Sequence, residues 1–61
     1  MAQITSKELG GISDQMAIEK NLISKYQCYA KNATDGELKK MFETNARKHQ
    51  NHLNDLYANL K

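Results

Sequence analysis

The segment ARKHQNHL, Ala46 to Leu53, holds both histidines of a 61-residue chain, His49 and His52. Their i, i+3 spacing puts them on one face if the segment is helical. Imidazole is the commonest protein ligand for transition metals and a good proton acceptor near neutrality. One acidic residue, Glu19, interrupts an apolar pattern in the first half of the chain. Two imidazoles and one carboxylate form a ligand set used by iron and zinc. The same three residues can also serve as a plain polar layer, hydrogen-bonded across a helix pair and fixing its register. The residue types leave both readings open.

The elements that must bring them together are two helices and a turn. TSKE opens the first, with Thr5 as N-cap, Glu8 three residues on as a capping box, and Ile4 placed for a hydrophobic staple. Leu9, Ile12, Met16, Glu19, Ile23, Tyr26, Ala30 and Ala33 then alternate steps of three and four, a heptad seam that Leu22 and Tyr29 widen. NATDGE is the turn, with Thr34 and Glu37 as a second capping-box pattern. The second helix carries Leu38, Met41, Phe42, Asn45, His49, His52, Leu53, Leu56, Tyr57 and Leu60, with its seam at 38, 42, 45, 49, 52 and 56. The expectation is one all-α domain over 1–61: helix 6–33, turn 34–36, helix 37–60, folded as an antiparallel hairpin. Each helix would be about 35–42 Å long. With the turn centred at Thr34 and Asp35, Glu19 faces position 50, at a height between His49 and His52. Apolar stripes this wide exceed what one partner helix can cover, so two hairpins are expected to dimerise through these faces into a four-helix bundle with two-fold symmetry.

Composition narrows the alternatives. One cysteine excludes an internal disulfide and favours a reducing, cytoplasmic setting. A chain this short stands at the edge of independent stability, and where disulfides are excluded a metal or a partner subunit is the usual addition. The net charge of +2 is weak and its lysines are scattered, so no nucleic-acid partner is expected. The opening MAQITSKELGG has no basic segment followed by an apolar run, so it does not read as a secretory signal, and no apolar run is long enough to span a membrane. No nucleophile stands in a triad and no glycine-rich phosphate loop occurs, which argues against an enzyme. Cys28 reads as a small buried or half-buried thiol. The tyrosines Tyr26, Tyr29 and Tyr57 read as stripe fillers with hydroxyls toward water, and Tyr26 is placed near Phe42 and Asn45, away from the site. Gly10 and Gly11 within the first helix imply either a weakened first turn or close approach of another chain.

At these residues the chain resembles a known family. KELGGISDQMAIEKNLISKYQCYAKNATDGELKKMFETNARKHQNHLNDL is similar to short bacterial spore coat proteins of the Coat F type, within the ferritin-like superfamily. The features that carry the likeness are Glu19, KYQCYA with Tyr26 and Ala30, DGELKKMF and HQNHL. The resemblance implies a ferritin-like bundle made from two chains in a spore-forming bacterium, assembled into the spore coat with other coat proteins. Ferritin-like di-metal proteins carry Glu-x-x-His on alternate helices. By position, Glu19 matches the first-helix glutamate and His52 the motif histidine, while His49 stands where a bridging glutamate would be. Four carboxylates balance two divalent ions in that family, and two such hairpins bring two. A single ion, or one zinc, copper or iron per hairpin, at Glu19, His49 and His52 therefore suits the site better than a di-iron centre, with a divalent zinc or iron the expected cofactor. The expected role is a structural or assembly module. The alternative is a ferritin-like metal-binding or redox protein using the same site.

Overall fold

Thr5 starts the first helix as its sequence requires. Its hydroxyl accepts the backbone N–H of Glu8 at 3.1 Å, and its own N–H donates to Glu8 Oε1 at 3.2 Å, so two of the unpaired donors of a helix start are satisfied. In the computed structural model, which describes residues 4–60, α1 runs Ser6–Asn32 and α2 runs Gly36–Ala58. The two form an antiparallel hairpin, and no strand occurs among the described residues. Residues 1–3 and 61 of the expected domain lie outside the described residues.

The turn differs in detail from the expectation. Ala33 is extended (φ −72°, ψ 132°), so α1 stops at Asn32, one residue early. The N-cap of α2 is Asp35, not Thr34: its Oδ1 accepts from the backbone N–H of Glu37 at 2.8 Å and of Leu38 at 3.1 Å. A carboxylate at that position also opposes the positive end of the helix dipole. Gly36 becomes the first residue of α2, and its φ is not positive, so the turn makes no use of glycine's extra freedom. At the far end Asn59 closes α2, its backbone N–H donating to the carbonyls of Asp55 and Leu56, and Leu60 lies beyond the helix.

The seam of α1 is the expected one, with Glu19, Ile23 and Ala30 buried and Ile12, Met16, Tyr26 and Ala33 half-buried; Leu9, the first position, is exposed. The seam of α2 is shifted. Ala46 and Leu53 are the buried residues, and Phe42, Asn45, His49 and Leu56 are half-buried. A straight helix of 3.6 residues per turn drifts about 20° per heptad from a strict heptad line. The contact line therefore moves from 45 to 46 and from 52 to 53. Burying the leucine also gains transfer free energy that an imidazole would forfeit. His52 sits on the flank, not the seam.

The hairpin is one layer of helix, its Cα atoms spanning 47 × 17 × 10 Å. No described large side chain is sealed from solvent. Its two broad sides differ. Gln27, Lys31, Lys39, Glu43, Arg47 and Gln50 border a shallow groove on one, where the Lys20 ammonium also lies 6.0 Å from the centre of the Tyr57 ring. Helical periodicity puts Ile18, Leu22 and Tyr29 of α1 and Leu38, Met41 and His52 of α2 on the other. Ile18 and Met41 are 51% and 60% exposed there. No described helix is long and apolar enough to cross a membrane.

Three variants check this account by urea unfolding. Leu53→Ala is expected to cost about 2 kcal/mol, at the lower end for a buried leucine, while His52→Ala changes metal-free stability by less than about 0.5 kcal/mol. Gly10→Ala, whose new methyl meets nothing within 4 Å, is expected to add about 0.5–1 kcal/mol.

Candidate metal centre

Glu19 lies midway along α1 and points at α2 from the seam, with its side chain 7% exposed. Burying a carboxylate is costly unless each oxygen has a donor. Here both do. His49 Nδ1 lies 2.6 Å from Oε1, and the Gln15 amide donates to Oε2 at 3.1 Å. An ionised carboxylate only accepts hydrogen bonds, so Nδ1 of His49 carries the proton in this arrangement. The short distance is that of a charge-assisted bond. The His49 hydrogen bond is the main cause that holds the Glu19 carboxyl below the usual carboxylate range. Burial opposes the shift, and Gln15 together with the charges of His49 and His52 supports it.

His52 reaches the same carboxylate from the flank. Its Nδ1 stands 3.7 Å from Glu19 Oε2, beyond hydrogen-bond range, and its side chain is 50% exposed. The two imidazole rings meet edge to face, their centroids 5.5 Å apart. One ligand atom from each of Glu19, His49 and His52 can be chosen so that all lie within 4.8 Å of one another. A tetrahedral ion with bonds of 2.0–2.2 Å holds its ligand atoms about 3.4 Å apart. The observed separations bracket that value, so Glu19, His49 and His52 are positioned to bind a metal ion after small side-chain rotations. Loading would require the ligating nitrogens to be unprotonated, and so would replace the His49 hydrogen bond with a coordinate bond.

The expected grouping of Glu19 with both histidines is present, and Glu19 faces His49, one residue from position 50. Two neighbours were not anticipated. Gln15 is one turn from Glu19, an i, i+4 pair that helix spacing alone could have flagged. Tyr26, placed away from the site on sequence grounds, stacks on His49 with centroids 5.6 Å apart and planes 8° from parallel. It also stacks on Phe42, which in turn packs against Tyr29. This run of rings fixes the plane of His49 from the turn side. Cys28 is exposed, not half-buried, and sits 3.5 Å from the Asn32 amide, remote from the site in sequence.

The carboxyl shift has a testable consequence for the metal-free protein. A group whose folded value is depressed contributes stability above its unfolded value, and that stability is lost as pH falls through the folded value. Wild type is therefore expected to lose stability as pH drops below about 4.3, the ordinary glutamate value. Glu19→Gln keeps an acceptor for His49 and should flatten that part of the curve, measured as urea midpoints from pH 6 to 3. Glu8, lowered by its hydrogen bonds to Thr5, is common to both proteins and cancels in the comparison.

Comparison with protein-family models, with curated proteins and with solved structures finds no match to this chain.

Proposed function

We propose that the chain is a structural assembly module with an internal metal site. Two hairpins pair through their apolar faces into a ferritin-like four-helix bundle, and each holds one divalent transition-metal ion, zinc or iron, on Glu19, His49 and His52. The observation that carries the metal reading is the position of His52. Its nitrogen stops 3.7 Å from the carboxylate, too far for a hydrogen bond and close enough to share an ion with it. A purely hydrogen-bonded layer has no use for it, since Glu19 is already satisfied by His49 and Gln15. The pairing is supported by a single helix layer with Ile18, Tyr29, Leu38 and Met41 exposed. A chain of this size buries a modest fraction of its surface, and a partner or metal adds the stability that a small core lacks.

The likeness to short spore coat proteins supplies the setting: a bundle made in the cytoplasm of a spore-forming bacterium and built into the coat beside other coat proteins. A single ion, not a pair, fits the ligand set. His49 replaces a bridging carboxylate of the di-metal enzymes, so the charge needed for two adjacent divalent ions is missing. One ion with two imidazoles and one carboxylate is a balanced alternative.

The test is metal analysis of tag-free protein together with melting curves. One zinc or iron per chain is expected, and metal at 100 times its Kd should add about 2.7 kcal/mol of stability. Glu19→Ala should bring the metal content to zero while the helical signal persists. Absence of metal and an unchanged melt with both zinc and iron would remove the site. Oxygen consumption or peroxide turnover by the iron-loaded protein would instead assign a redox role.

A further inference from the structure

A structural zinc ion is normally closed by four protein ligands, and three with an open position is the pattern of an ion that keeps a solvent molecule. One hairpin offers three, and the side left open is the apolar one. Gln15 and His52 both approach Glu19 Oε2, which places the exposed ligand on the same broad side as Ile18, Leu22, Tyr29 and Met41. The other side is bordered by Lys31, Lys39, Glu43 and Arg47 and carries no ligand.

We infer that metal loading and pairing with a second copy are one coupled event on this side of the hairpin, with the two-fold axis at the height of Glu19. The inference rests on the metal-site reading above and adds its partner and its regulation. Charge pattern selects a second copy as the occupant. Asp14 and Lys25 flank Ile18 on the outer edge of α1, both exposed and neither in an ion pair among the described residues. They lie at nearly equal distances on either side of Glu19. An antiparallel α1–α1 contact centred there sets Asp14 against Lys25 of the second copy, twice by symmetry. The paired hairpins bury the exposed Ile18, Tyr29, Leu38 and Met41 and cover His52, so the open side of each site faces protein instead of water. An ion that prefers the covered site must strengthen pairing, and pairing must strengthen its binding by the same factor.

Sedimentation equilibrium of the full chain, with chelator or with zinc, tests this. Zinc is expected to lower the dimer Kd by about tenfold or more, within the usual range of coupling. Ile18→Lys, at an exposed position that leaves the helix intact by circular dichroism, should be monomeric and should lose about tenfold in zinc affinity although no ligand has changed. Gln27→Lys on the opposite side should alter neither. Asp14→Lys should weaken the dimer several-fold, and adding Lys25→Asp should restore it. If zinc binds wild type and leaves the dimer Kd unchanged, or if Ile18→Lys keeps full zinc affinity, the coupling is wrong while the metal site stands. If wild type binds no zinc, the site and the coupling fall together.

Discussion

The hydrogen bond between Glu19 and His49 organises this molecule. A carboxylate in the seam of two helices must find donors or be expelled to water. The donor on the opposite helix is His49, at 2.6 Å. Sliding α2 by one turn, about 5.4 Å, would break that bond and leave Oε1 without its His49 donor. Register is thereby set by one polar contact in an apolar seam, a role best known from polar residues at coiled-coil core positions. The neighbouring rings follow from it. Tyr26 can stack on His49, and Phe42 on Tyr26, only in the register that joins Glu19 to His49.

The second constraint is thinness. Two helices form a layer and cannot enclose a core, and the residues that are buried here, Ile23, Ala30, Ala46 and Leu53 with Glu19, make a single line. Ala30 and Ala46 are small, which lets the helices approach closely but adds little apolar area. Everything to either side of the line meets solvent. On one side the exposed surface is mostly charged or amide, with the Lys20 ammonium lying over the Tyr57 ring. On the other, Ile18, Tyr29, Leu38 and Met41 are exposed along the side that also carries His52, and this asymmetry links the proposed assembly to the proposed metal site. These four side chains, which the hairpin cannot bury, share the side where a second hairpin would bury them.

Much of the fold is legible in the sequence because its signals are local. Thr5 with Glu8 marks the helix start without reference to anything distant, and the apolar steps from Ile12 to Ala33 name the buried face of α1. The pairing of Glu19 with the histidines is legible because a hairpin ties height to residue number. What escapes is finer than a turn. Thr34 and Asp35 both cap well by type, and only the backbone decides between them. His52 and Leu53 are neighbours on the α2 wheel, and the heptad line is too coarse to tell which one enters the seam. The drift of a 3.6-residue helix and the larger gain from burying leucine settle it. Tyr26 was placed near Phe42 correctly, but an aromatic ring spans more than its own height, and its stacking on His49 follows from side-chain reach that residue spacing does not express.

The central claim is that Glu19, His49 and His52 share one ion. Anomalous diffraction at the zinc edge from crystals of the loaded protein tests it most directly. The account predicts one anomalous peak per chain, bonded to Glu19 and to a nitrogen of each histidine, with the direct Glu19–His49 hydrogen bond gone. A loaded crystal with no peak between these residues, and with His49 still hydrogen-bonded to Glu19, would contradict it.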